Sequence, residues 1–332
     1  MRQSKLITAV LATLSFANFA HADEPKVLHE ELKEAKAPYM EEKQAGSDWA
    51  ATGNIGVVSD YYFRGISQSW HKPTVQGGMD ITHSSGFYTG VWGSGVTPNT
   101  YPDANTEIDV YAGFNGTIPT VEKLGYTVGV YGYLYPGGSW KKYKFTGDNN
   151  PDGTLKSQTP KGGRWDTYEL NAGLSYDWIS AKLSYTLTDW FGADKDTGWN
   201  GSTKGSTYIE LNAAYPLPWW DLTLIAHVGR LNVAGKLDPN ADFSAIGGGS
   251  APSSSTSGAT NPDYTDWKIG LSKAFKIGAT EGWNAGVYWI ESDNSRYWGR
   301  NGYGGSSFNG APSTQFKNLN DGRVVLTLGR TF

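Results

Sequence analysis

Three features of this chain predict an all-β fold, a transmembrane antiparallel up-and-down β-barrel of twelve strands. Its last strand alternates apolar and polar side chains through Val324, Leu326 and Leu328 and ends on Phe332; the connections between its strands alternate between short and long; and a secretory leader precedes them all. A strand that is short and only half apolar can lie in lipid only where a closed sheet satisfies its backbone.

The leader is read from Arg2 and Lys5, the apolar run from Leu6 to Phe19, and the small-residue ending Ala20-His21-Ala22, with cleavage expected before Asp23. The run is shorter than the roughly 20 residues of a spanning helix. Residues 1–22 are therefore a signal peptide, 23–47 a charged periplasmic extension and 48–332 one barrel domain. In the extension, Leu28, Leu32 and Ala35 fall at helical spacing, but so short an isolated helix is marginal in water, and a disordered leader is favoured over a plug. Loss of Arg2 and Lys5 reduces the 28 basic residues by two against 32 acidic ones, a formal charge of −6 that implies no nucleic-acid partner. With no cysteine, disulfides and thiol chemistry are excluded.

Period-two alternation marks strands at 50–60, 73–81, 87–94, 106–114, 124–135, 165–176, 179–189, 206–215, 220–231, 264–275, 282–292 and 322–332. The connections 82–86, 115–123, 177–178, 216–219 and 276–281 are short. Those at 61–72, 95–105, 136–164, 190–205, 232–263 and 293–321 are long, as expected of periplasmic turns and external loops. Both ends of the barrel sequence then lie on the periplasmic side, and the last strand should pair with 50–60. Ile108, Val110, Ala112 and Phe114 are expected outward, and Glu107, Asp109, Tyr111 and Gly113 inward. Aromatic residues at strand ends suggest membrane-interface girdles: Tyr61, Tyr62, Phe63, Trp178, Trp190, Phe191, Trp219, Trp220, Trp267, Phe275, Trp283 and Phe332. Arg330 on the lipid face is expected to snorkel.

Several of these segments resemble the TorF family of proteobacterial outer-membrane porins. The resemblance is carried by Ser-Asp-Tyr-Tyr-Phe-Arg-Gly-Ile-Ser-Gln-Ser (59–69), Val-Gln-Gly-Gly-Met-Asp (75–80), His-Ser-Ser-Gly-Phe-Tyr-Thr-Gly-Val-Trp-Gly-Ser (83–94), Glu-Ile-Asp-Val-Tyr-Ala-Gly-Phe (107–114) and Tyr-Leu-Tyr-Pro-Gly (133–137). The stretch 266–272 and the last strand are also similar, whereas 23–47, 232–263 and 293–321 fall outside it. The resemblance implies an outer-membrane porin with no agreed substrate or site.

Inward positions supply Asp80, Glu107, Asp109, Glu169, Glu210 and Asp221 against Lys182, Lys268 and Arg323, with Tyr131, Tyr133 and His227 as polar rings. A twelve-stranded barrel implies a narrow or partly plugged pore. The acid excess suggests a weak cation preference, unless these charges pair across the lumen and hold it shut. The expected function is passive diffusion of small hydrophilic solutes through the outer membrane; the alternative is a closed structural or adhesive barrel acting through its loops. Expected partners are outer-membrane lipid, lipopolysaccharide through Lys141, Lys142 and Lys144, and the assembly machinery that reads the last strand. No enzyme or cofactor is expected. A serine–histidine lipase would need a histidine facing lipid, and His227 faces inward. Asp60 and His71, the nearest pair for an omptin-like protease, look loosely placed. Asp148, Asn150 and Asp152 imitate half of a calcium loop but lack the closing glutamate, Thr159 standing in its place, which favours a plain turn.

Overall fold

The computed structural model describes residues 47–98, 100–101, 103–138, 164–195, 199–236, 261–298 and 317–332. The extension 23–46, the calcium-like loop around Asp148, Asn150 and Asp152, and the three lysines at 141–144 lie outside the described residues. So do the leader and its cleavage site.

The chain runs through β1 (Trp49–Val58), a small hairpin of β2 (Tyr62–Phe63) and β3 (Ile66–Ser67), then β4 (Thr74–His83), β5 (Phe87–Gly95), β6 (Thr106–Thr117) and β7 (Leu124–Leu134). It continues through β8 (Thr167–Tyr176), β9 (Ile179–Thr186), β10 (Thr207–Pro216), β11 (Leu222–Asn232), β12 (Tyr264–Ile277), β13 (Thr280–Ser292) and β14 (Arg323–Thr331). All strands except β2 and β3 form one closed antiparallel barrel of twelve, each pairing with its sequence neighbour. The ring is sealed where β1 meets β14, from Asn54 opposite Thr331 to Val58 opposite Thr327, while the other edge of β1 pairs with β4 along its whole length. Phe332 and Gly53 exchange both backbone hydrogen bonds, at 2.8 and 2.9 Å. No helix among the described residues is long and apolar enough to cross a membrane. The crossing is made by strands.

Alternation sets the two faces. On β6, Glu107, Asp109 and Tyr111 are at most 5% exposed while Val110 and Phe114 are 41% and 52% exposed. On β9, Ser180, Lys182, Ser184 and Thr186 point inward, and Ile179, Leu183 and Tyr185 outward. A soluble protein would bury the second set. Here Ile55, Val75, Leu170, Ile209, Leu211 and Ile269 all remain exposed around the outside, forming an apolar band suited to hydrocarbon. Above and below it sit outward rings, Tyr168, Tyr185, Trp267 and Trp289 towards the long loops, and Trp178, Trp219, Trp220 and Phe332 towards the short turns. Trp283 and Phe275 pair across β12 and β13 on the same outer face. The Arg330 guanidinium lies 5.8 Å from the Trp283 ring and donates to the Glu281 carbonyl at 3.1 Å, which turns its charge from the band to the rim.

Leu211 lies mid-strand on β10 with Val228 and Ala181 beside it. Leu211→Arg is expected to cost roughly 2–4 kcal/mol if it meets the bilayer midplane. The check is the folded fraction in lipid vesicles across a urea series, read by the gel-mobility difference between unheated and boiled protein.

Candidate functional site

The first long connection enters the barrel instead of standing above it. Residues 59–73 carry β2 and β3, joined by Arg64 and Gly65 with φ of 49° and 73°, the positive pair that a two-residue hairpin requires. Gly65 has a second constraint, since a β-carbon there would collide with Asp266 and Ser292 on the wall. Tyr61, Tyr62, Phe63, Ile66 and Trp70 are all buried. This corrects the girdle assignment for Tyr61, Tyr62 and Phe63. Rings beside a strand end suit a membrane interface or a lumen plug equally well, and alternation no longer applies once the strand has ended. Trp190 and Phe191 are corrected likewise, being buried in the same aromatic cluster at the mouth.

The hairpin reaches strands on several sides of the lumen. Arg64 donates two parallel hydrogen bonds to Glu169 of β8, at 2.9 and 2.8 Å, with both side chains buried. Its guanidinium lies 4.3 Å from the Tyr208 ring on β10. Phe63 packs against Tyr133 of β7, Tyr61 against Trp92 of β5, and the Gly65 carbonyl accepts from Ser292 of β13 at 3.1 Å. A fork-to-fork arginine–carboxylate pair in a dry setting fixes direction as well as position.

At the base of the hairpin, Asp60 accepts from Ser67 Oγ at 2.6 Å, Ser69 Oγ at 2.9 Å and His71 Nδ1 at 2.6 Å. Asp60 and His71, expected to be loosely placed, are therefore in direct contact. They do not make a hydrolytic site, because both serine hydroxyls donate to the aspartate and the second imidazole nitrogen faces the Asn318 carbonyl at 2.7 Å. Among the described residues no cluster of histidine and acids is arranged to hold a metal.

Asp80, Glu107, Asp109, Tyr131, Tyr133, Glu169, Lys182, Glu210, His227 and Lys268 lie on the inner face and are buried. Two of the twelve expected lumen residues lie elsewhere. Asp221 is exposed in the turn between β10 and β11, with φ of 53°, because β11 begins one residue later. Arg323 stands at the outer rim, paired with Asp321 at 3.1 Å. Inside, Lys182 pairs with Glu210, Tyr111 donates to Asp80, and His227 bridges Asn212 Oδ1 at 2.6 Å and Asp266 Oδ1 at 2.9 Å. Two lumen charges were missed. Asp266 shares the parity of Lys268 on β12 and was legible from that alone; Arg64 was hidden because it comes from a loop.

The inner wall has a further regularity. A β-carbon on Gly90 would strike Tyr111, on Gly113 or Gly129 Tyr88, on Gly229 Tyr208, and on Gly286 Tyr288. Each tyrosine thus lies flat over a glycine of its own or a neighbouring strand instead of reaching for the barrel axis. The hairpin meets the wall towards the long loops, at Trp92, Tyr133, Glu169, Tyr208 and Ser292. Between the hairpin and the outer connections is a cavity of about 60 Å³ lined by Phe63, Gln68, Tyr101, Trp190, Trp199 and Trp298 among others. It is far below the roughly 300 Å³ at which ligand pockets begin, and holds a few waters at most.

Fold and apolar exterior together define a closed β-barrel of the membrane-spanning type, with an inward-folded first loop. The chain belongs to the family described as "Bacterial protein of unknown function (Gcw_chp)", whose model matches residues 42–249. That stretch contains the motifs at 59–69, 75–80, 83–94, 107–114 and 133–137; the TorF name is not the one that matches. No curated protein matches in sequence. Among solved structures the chain is similar to the KdgM porin at 8% identity, covering 85% of this chain and 98% of that one with a TM-score of 0.39. It is similar to the NanC porin at 10% identity, covering 85% and 99% with a TM-score of 0.41. For OccAB3 of Acinetobacter baumannii the values are 11% identity, 86% and 65% coverage, and a TM-score of 0.35.

Removing Glu169 leaves a buried guanidinium without its counter-charge, which typically costs about 3–5 kcal/mol. Glu169→Ala should therefore release the hairpin, read as faster hydrogen exchange over residues 61–70, while a joint Arg64→Leu, Glu169→Leu variant should recover much of the protection.

Proposed function

We propose that this protein is a channel for small hydrophilic solutes, a porin of the TorF type, in which the hairpin 59–73 occupies the route. The observation that carries the reading is the flat packing of Tyr88, Tyr111, Tyr208 and Tyr288 over wall glycines. A barrel built only to be solid would fill its axis with wall side chains. This one lays those four inner rings against wall glycines and receives, towards the long loops, a hairpin held by one ion pair, a few hydrogen bonds and ring contacts. Such a loop can leave without breaking the sheet.

The lumen charges support a cation preference once the hairpin has moved. Asp80, Glu107, Asp109, Glu169, Glu210 and Asp266 on the wall face Lys182, Lys268 and His227, and withdrawal of Arg64 removes the cation that neutralises Glu169. Charged lumen groups of this kind tune selectivity.

Planar-bilayer recordings test the reading. The native protein should give small or infrequent unit currents, and replacing residues 62–67 by a short glycine–serine link should raise unit conductance severalfold. In a salt gradient the shortened variant should show a cation-selective reversal potential. Silence of both proteins across many insertions, with folding verified by gel mobility, would favour the closed structural barrel instead.

A further inference from the structure

The hairpin is fastened to the last external connection through His71. Its Nδ1 lies 2.6 Å from the Asp60 carboxylate and its Nε2 lies 2.7 Å from the Asn318 carbonyl, with Asp321 Oδ1 at 3.5 Å. Both nitrogens therefore face groups that only accept. A neutral imidazole has one N–H and one lone pair, so it can donate to one of these partners and must present its lone pair to the other. Only imidazolium satisfies both.

The same two segments meet at three further points. Ser67 N–H donates to the Leu319 carbonyl at 2.9 Å, Lys317 Nζ to the Trp70 carbonyl at 2.8 Å, and the Tyr62 hydroxyl to the Asp321 carbonyl at 3.3 Å. None of these changes donor count with the charge of His71. The charged groups around the imidazole are Asp60 after β1, Lys72 on its own segment, and Lys317, Asp321 and Arg323 on the segment entering β14. Burial, with Lys72 and Arg323 nearby, pulls Lys317 below the ordinary lysine range. The ring of Tyr62 lies 6.3 Å from that of His71.

We infer that His71 is a proton-operated latch: its cationic form ties the lumen hairpin to the segment 317–321, and loss of that proton loosens the hairpin. The inference rests on the hairpin being the movable element of the channel reading. Histidine is the side chain whose charge ordinarily changes between about pH 5 and 8. The sign follows from the donors. The tie is complete in acid, and it loses one bond to imidazole as pH rises.

Hydrogen exchange over residues 59–72 in the refolded protein, corrected for the intrinsic pH dependence of amide exchange, tests this without requiring conduction. Protection should fall by about tenfold or more between pH 5.5 and 7.5, the effect of losing a hydrogen bond to a charged group. His71→Gln should show the lower protection at both pH values, while His227→Gln, which alters the other inner histidine, should keep the pH response. Ring nitrogen shifts of His71 should report two N–H groups at pH 5.5. Protection that is the same at both pH values, a pH response that survives in His71→Gln, or a single N–H on the ring at pH 5.5 would overturn the latch. In bilayers the native open probability should rise with pH. Silence there, with the exchange response intact, would remove the channel reading and leave the latch.

Discussion

Everything in this molecule follows from the requirement that its sheet have no free edge. In hydrocarbon an unpaired peptide group is too costly to tolerate, so β1 must find β14, and once it does every side chain is committed to lipid or lumen. Closure explains why a half-apolar strand is stable at all. It also creates the problem that the rest of the structure answers, an interior wide enough to need filling and lined by charges that need partners.

The answer has two parts with different physical character. Glycines on the wall let tyrosine rings lie down, so the wall stays smooth and the buried hydroxyls stay near other polar groups. The hairpin then supplies what the wall lacks, namely a cation for Glu169, aromatic faces for Tyr133 and Trp92, and a carbonyl for Ser292. The wall is permanent because it is built from backbone pairing. The filling is held by side chains, and its ties can be undone one at a time.

Strand positions were legible in the sequence because lipid and lumen impose opposite demands on successive residues; each of the twelve expected strands overlaps a barrel strand, and the faces of β6 are as expected. What escaped was confined to places where that rule lapses. Asp221 was placed by extending the β11 alternation one residue too far into a turn. The rings at 61–63 were assigned by chemical type, and type cannot tell a headgroup region from a lumen. The contact between Asp60 and His71 depends on a reversal of direction within a loop, for which the Arg64-Gly65 turn was the available sign.

Arg64, Trp70 and His71 all hold left-handed conformations, with φ of 49°, 58° and 55°, which side chains with a β-carbon adopt only at a cost of roughly 1–2 kcal/mol each. The filled barrel is therefore wound like a spring, with a few kcal/mol held in three residues that lie within eight positions of one another. Contacts with the wall keep it wound. If the hairpin moves as proposed, Trp70 and His71, which lie outside its two-residue turn, are the positions whose relaxation would favour the outward state.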